Sequence, residues 1–254
     1  MANPDSRPQR FVLAHGFTQT AQSWAKFEPL LREAIPDADP VPIDLPGHGN
    51  ATTAVGDLWS SADYLVEYGQ QAVYVGYSLG GRVSLHAALA HPEQVDALVL
   101  IGATAGLDSA EDRRARRESD EQLATRLEAI GLERFVNEWL TNPLFNGLTD
   151  ETDQREDRLR NSATALAASL RSNGTGTQEP LWDRLGEVEV PVLVLVGEQD
   201  HRFRSLGERL VEALPHATYK VISEAGHSVH LEQPTYTADA IADWYRLIPQ
   251  LQAR

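Results

Sequence analysis

The stretch Gly76-Tyr77-Ser78-Leu79-Gly80 decides the reading of this chain, because of what stands on either side of it. Before it runs Ala72-Val73-Tyr74-Val75, a short apolar run of buried-strand type. After it, Leu79 to Ala90 carries helical spacing and stops ahead of Pro92. A G-x-S-x-G signature means little alone. Between a strand and a helix it describes a sharp turn that lifts a serine hydroxyl above the end of a sheet. The glycines answer the crowding of such a turn, where side chains would collide. At a helix start, the Leu79 N–H would face negative charge developing beside Ser78.

Outward from this point the same alternation recurs. Phe11–Ala14, Val41–Ile43 and Val95–Ile101 read as strands, and Gln22–Ala34 and Ser61–Gly69 as helices. Near-continuous apolar runs alternating with helices predict an α/β fold, with a mostly parallel twisted sheet flanked by helices. From Leu107 to Gln178 no strand is evident. Glu111–Leu132, Glu133–Leu140 and Glu151–Leu170 read as helices, with breaks at Asn142-Pro143 and Asn173–Thr177. The alternation then resumes, with strands at Val192–Val196 and Tyr219–Ile222 and helices at Ser205–Leu214 and Thr235–Leu247. The expected organisation is an α/β core over 1–106 and 181–254, interrupted by a helical lid over 107–180. Insertions at the carboxyl ends of parallel strands sit over the ligand crevice.

A serine hydroxyl needs a histidine to activate it, and the histidine needs an acid to orient it. For this kind of turn the chain order is serine, acid, histidine. Asp200 follows the strand Val192–Val196, and His227 follows the strand Tyr219–Ile222, so both fall at carboxyl ends of core strands. Glu198 is the rival acid, and His201 and His230 are the rival bases. His15-Gly16-Phe17 follows the first strand, so the Phe17 amide should complete an oxyanion hole with that of Leu79. His15 reads as a shaper of that loop, and Asp44–Gly49 as a turn.

The chain has 254 residues and a formal net charge of −15. That length buries a core without staples. The absence of cysteine excludes a disulfide scaffold, a thiolate metal site and a cysteine nucleophile. The acidic balance argues against nucleic acid as a partner. No apolar run approaches the ~20 residues of a membrane span. Met1–Arg10 is polar, without a signal-peptide core, so a cytoplasmic address is expected. No zinc-ligand spacing or phosphate-binding fingerprint occurs, so no metal or nucleotide cofactor is expected. Oligomeric state is left open. Lys26 and Lys220 are the only lysines among 22 basic residues, and arginines cluster in the lid at 113–117 and 155–160. They alternate with acids such as Glu111, Glu118 and Asp157, as solvated i,i+4 partners do. Arginines that instead faced a dry crevice would select an anionic, carboxylate-bearing substrate. Arg82 lies four residues after Ser78, near the same helix face.

The chain resembles the α/β-hydrolase superfamily across nearly its whole length. The resemblance is carried by His15-Gly16-Phe17, Trp24, Asp44–Gly49, Gly76–Arg82, Arg116–Asp120, Trp139 with Pro143–Phe145, Arg160, Gly197–Asp200 with Phe203-Arg204, and Gly226-His227. More narrowly, Tyr77, Arg82, Arg116, Trp139 and Arg160 together are similar to the 2-succinyl-6-hydroxy-2,4-cyclohexadiene-1-carboxylate synthases of menaquinone biosynthesis. The resemblance implies a lid inserted after the sixth core strand. It also implies an elimination rather than a hydrolysis. Pyruvate would leave 2-succinyl-5-enolpyruvyl-6-hydroxy-3-cyclohexene-1-carboxylate, a small tricarboxylate. Ser78, Asp200 and His227 would act as the base, with Phe17 and Leu79 as oxyanion hole. Arg82, Arg116 and Arg160 would hold carboxylates, while Tyr77, Trp139 and Phe145 line the pocket; Arg113 or Arg117 could take the place of Arg116. A serine carboxylic-ester, lactone or carbon–carbon bond hydrolase would use the same triad, and a non-catalytic scaffold of this fold would not need it.

Overall fold

Six strands lie in the order β2-β1-β3-β4-β5-β6 in a computed structural model that describes residues 8–53 and 56–252. They are β1 Gln9–Ala14, β2 Ala38–Ile43, β3 Ala72–Tyr77, β4 Val95–Ile101, β5 Val192–Gly197 and β6 Ala217–Ile222. Every neighbouring pair is parallel. Of the polar N-terminal stretch read above, residues 1–7 lie outside the described residues.

The helices are α1 Glu28–Ala34, α2 Leu58–Gly69, α3 Leu79–Ala90, α4 Ala110–Ile130, α5 Leu132–Leu140, α6 Arg155–Arg158, α7 Ala163–Asn173, α8 His201–Ala213, α9 Val229–Glu232, α10 Pro234–Arg246 and α11 Pro249–Gln252. Leu31 of α1 and Ile241 and Trp244 of α10 pack with Phe11, Leu13 and Val73 on one face of the sheet. Leu65 of α2, Val83 of α3 and Leu210 of α8 pack with Val12, Tyr74 and Leu98 on the other. Covering both faces explains why β3, β4 and β5 are runs of apolar residues instead of alternating ones. The edge strand β2 contains Pro40 and Pro42, paired with Phe11 and Leu13. Proline cannot donate to a ladder, and an edge tolerates this. No described helix is long and apolar enough to cross a membrane.

The expected alternation holds, with two local corrections. Gln22–Ala34 is not one helix; a 3-10 turn at Ala21–Trp24 precedes α1, which begins at Glu28 with Pro29 in its first turn. Proline suits a helix start and breaks a helix interior. Glu151–Leu170 likewise divides into α6 and α7, because the Ser162 hydroxyl accepts from Ala165 N and caps a new helix.

The insertion follows β4, the fourth described strand, and not a sixth. No strand precedes Gln9 among the described residues. The expected lid span, 107–180, carries α4 to α7 and no strand. These helices bury a small apolar cluster of their own around Leu127, Phe135, Leu166 and Leu170. The chain lays β2 to one side of β1 and β3 onward to the other. The loops after β1 and β3 therefore meet where the strand order reverses, the usual place for a crevice in an open α/β sheet.

Candidate active site

Ser78 stands between β3 and α3 with φ 51° and ψ −106°, a backbone that few non-glycine residues adopt. The surrounding close packing is why glycines flank it. A Cβ on Gly76 would come within 2.4 Å of the Gly80 carbonyl oxygen, and one on Gly80 within 2.0 Å of the Ala14 carbonyl oxygen. Without those side chains, Gly80 N donates to His15 O at 3.0 Å, joining the β3 turn to the β1 loop.

His227 and Asp200 come together as the chain order required. The Nδ1–H of His227 donates to Asp200 Oδ2 at 2.8 Å, and both residues are buried. The other carboxylate oxygen of Asp200 accepts from Phe203 N at 3.1 Å and caps α8. With Nδ1 committed, His227 presents an Nε2 lone pair to the same cavity that Ser78 lines. No described group hydrogen-bonds that Nε2. The Phe203 ring lies 4.4 Å from the imidazole.

The rivals are placed elsewhere. Glu198 is exposed and accepts from Glu224 N. His201 is exposed at the start of α8. His230 is buried between Trp24 and Tyr77, each with its ring centroid 4.5 Å away. Burial, with the neighbouring charges of His227 and Arg158, lowers its pKa to about 3.

Phe17 and Leu79 both line the cavity, and the amide of neither makes a turn or loop hydrogen bond among the described residues. Leu79 is the first residue of α3, so its N–H has no intrahelical acceptor. His15 shapes the loop that carries Phe17. Its Nδ1–H donates to Gly16 O at 2.8 Å and its Nε2 accepts from Leu45 N at 3.0 Å. Holding that acceptor requires neutral imidazole, and burial lowers the His15 pKa to about 4. The Phe17 ring is a wedge as well, 5.3 Å from Trp139 and 5.7 Å from His48, both edge-on. Side chain and amide thus both matter at this position.

The cavity encloses about 620 Å³. Tyr77, Arg82, Arg116, Trp139 and Phe145 line it. Arg82 is buried on α3, and Nη1 finds no acceptor among the described residues. Burial, with Arg116 close by, lowers its pKa to about 10, so it stays cationic at neutral pH. Arg116 is oriented by Asp120, one helical turn on, through Nε to Oδ1 at 2.8 Å. Arg113 and Arg117 do not take its place. Arg113 donates to the carbonyls of Leu107 and Asp108, and Arg117 to that of Gly176.

Arg160 is the correction. It is exposed and does not line the cavity; Arg158, two residues earlier, does. Arg158 is 1% exposed, donates from Nε to Asp153 O at 2.8 Å and from Nη1 to Thr18 Oγ1, and leaves Nη2 without a described partner. Two further contributors had no signal in the sequence. The Glu232 carboxylate accepts from Gly226 N at 2.6 Å and Ser228 N at 2.9 Å, gripping the chain on both sides of His227. The Ser228 hydroxyl meets Tyr77 OH at 2.7 Å. No group of three or more His, Asp or Glu side chains converges as metal ligands among the described residues.

A family profile described as the alpha/beta hydrolase family matches residues 11–240. The chain belongs to that family. This α/β hydrolase is 36% identical to a Bacillus subtilis (strain 168) protein provisionally named a 2-succinyl-6-hydroxy-2,4-cyclohexadiene-1-carboxylate synthase, over 92% of this chain and 89% of that one. It is 33% identical to the Escherichia coli O1:K1 / APEC synthase of the same name, over 92% and 93% of the two chains. Among solved structures, MenH from S. aureus superposes on this α/β hydrolase with a TM-score of 0.86 and 28% identity, covering 97% of each chain.

Proposed function

We propose that this α/β hydrolase is a lyase. It eliminates pyruvate from 2-succinyl-5-enolpyruvyl-6-hydroxy-3-cyclohexene-1-carboxylate to give 2-succinyl-6-hydroxy-2,4-cyclohexadiene-1-carboxylate, the product for which its relatives are named. The observation that carries the reading is the convergence of Arg82, Arg116 and Arg158 on the cavity that also holds Ser78 and His227. Arg202 and Arg209 line it too, but Arg202 is exposed and Arg209 is paired with Asp108. In a chain of net charge −15, the other three suit a polycarboxylate substrate. A neutral ester gives them nothing to bind.

The geometry supports the following course. Asp200 holds His227 with Nε2 free to accept a proton. As the Ser78 Oγ takes the ring proton made acidic by the succinyl ketone, its own proton passes to His227. The electron pair moves to the ketone oxygen, held by the amides of Phe17 and Leu79. When the pair returns, the ring C–O bond to the enolpyruvyl group breaks. The departing group takes the proton from His227 and leaves as pyruvate, so atoms and charges balance and Ser78 is restored. The arginines fix the ring for this step by binding groups that do not react.

Pyruvate release from the enolpyruvyl cyclohexene, followed beside p-nitrophenyl acetate as a control ester, tests the reading. Pyruvate release far above the spontaneous rate, with slow ester turnover, is expected. No acceleration, with good ester turnover, would make the protein a hydrolase.

A further inference from the structure

We propose that Asn161 is a positioning residue for this reaction, holding the β1 loop so that the Phe17 amide faces the developing oxyanion. The inference rests on the elimination reading above. Asn161 sits in the connection between α6 and α7, and is 8% exposed. It binds three separate pieces of backbone at once. Its Nδ2 donates to Thr18 O at 2.7 Å and to Arg158 O at 3.0 Å, and its Oδ1 accepts from Gly49 N at 2.9 Å.

The residue it grips is the one that needs holding. Thr18 is buried and has φ 69°, the left-handed region that a β-branched residue enters only when its surroundings force it. Thr18 directly follows Phe17, so relaxation there turns the Phe17–Thr18 peptide and shifts Phe17, together with its N–H one peptide plane back. The Asn161 amide fixes the Thr18 carbonyl from one side while Arg158 holds the hydroxyl. Neighbouring contacts point the same way. Asp157 accepts from Thr20 N at 3.0 Å, and Gln19 donates to Gln154 Oε1 at 2.9 Å. The helical insertion therefore holds the loop of the core that carries the oxyanion donor. Asn161 is the part of that clamp that binds backbone on both sides and does not itself line the cavity. Its amide satisfies the Thr18 and Arg158 carbonyls together, so the loop and the arginine turn stand as one piece.

An oxyanion donor acts on the transition state more than on bound substrate, so loss of its alignment lowers kcat and leaves KM. In Asn161→Ala, kcat for pyruvate release is expected to fall about tenfold, with KM within about threefold of wild type. Thermal unfolding shows whether the variant is folded. Asn161→Asp keeps the shape and the Gly49 contact but has no N–H for Thr18, and gives the same result if the alanine variant does not fold. A folded variant with wild-type kcat overturns the proposal. So does a variant in which KM rises at unchanged kcat, which would place Asn161 with the arginines in substrate binding. Wild-type enzyme that releases no pyruvate above the spontaneous rate refutes the elimination reading instead. The same kcat ratio is then read on p-nitrophenyl acetate, whose tetrahedral intermediate uses the same two amides.

Discussion

Ser78, Asp200 and His227 stand on loops that follow β3, β5 and β6, whereas Arg116 and Arg158 stand on α4 and α6 of the insertion. A residue beyond a strand inherits a position fixed by that strand's neighbours: β3 is paired with β1 and β4, β5 with β4 and β6, and the edge strand β6 with β5. Sliding such a strand by one residue would exchange the side chains packed on its two faces and break the packing of both. A residue on a surface helix has no such lock. Each step along a helix turns the side chain by about 100°, and Arg160 lies in the turn just past the end of α6, where no helix direction carries over from Arg158. The core thus supplies chemistry at fixed points, and the insertion supplies recognition whose placement depends on how its helices roll.

The largest effect should come from the core. Ser78→Ala is expected to lower kcat for pyruvate release by at least about a thousandfold, because serine, histidine and aspartate act as a unit. KM and thermal stability should change little, since the cavity wall loses one hydroxyl. Near wild-type turnover would remove Ser78 from the mechanism and erase the core's share in the comparison.

A pH titration separates the two regions in a second way. His15, His48, His86 and His230 are buried, and burial lowers their pKa values to about 4, 3, 4 and 3 respectively. All lie in the core, and residues 107–180 contain no histidine. Unfolding returns each to an ordinary value near 6.5, so below that pH the unfolded chain binds more protons than the folded one. Their contribution is fully present above about pH 6.5 and is lost as pH falls toward the folded values. The melting temperature should drop steadily from pH 6.5 to 4.5, measured by calorimetry at fixed ionic strength. A flat profile would show that these imidazoles are less sequestered than their packing indicates.

The same division governs what could be read from the sequence. The turn at Ser78 was legible because strand, glycines and helix all point to one geometry. Asp200 and His227 were legible because chain order and strand ends leave few candidates. Arg82 was legible from its spacing on α3, counted from a residue already placed. Arg158 was not, because Arg155, Arg158 and Arg160 share a segment that breaks into a short helix, a turn and a new helix capped by Ser162. The capping serine was visible, but the roll of a helix as short as Arg155–Arg158 is set by its neighbours: Asp153, Thr18 and Phe145 around the guanidinium. Glu232 and Asn161 were invisible for a related reason. Each acts by binding backbone, Asn161 that of distant loops and Glu232 that of Gly226 and Ser228 just before it, and no residue pattern marks such a partner.

Three arginine replacements probe the insertion, with p-nitrophenyl acetate as a control that carries no carboxylate. Arg158→Ala should lower kcat/KM for the tricarboxylate by roughly a hundredfold, in line with the about 1.5–3 kcal/mol of a charged hydrogen bond, because this guanidinium is fully buried. Arg116→Ala should cost less, about tenfold, since its side chain is 35% exposed and water already competes for it. Arg160→Ala should stay within about twofold of wild type, as surface substitutions do. That last variant is the sharpest of the set, because it leaves the charge of the lost group identical to that of Arg158 and changes only the direction it faces. Equal losses for Arg158→Ala and Arg160→Ala on the tricarboxylate, with ester turnover unchanged in both, would mean that general positive charge on the insertion attracts the substrate. A large loss confined to Arg158 on the tricarboxylate, with ester turnover retained, would mean that one buried fork binds one carboxylate; loss on both substrates would trace to its hold on Thr18. Salt separates the two further: added chloride screens a surface attraction over the roughly 10 Å of the Debye length at 0.1 M, and acts far less on a pair formed inside the cavity.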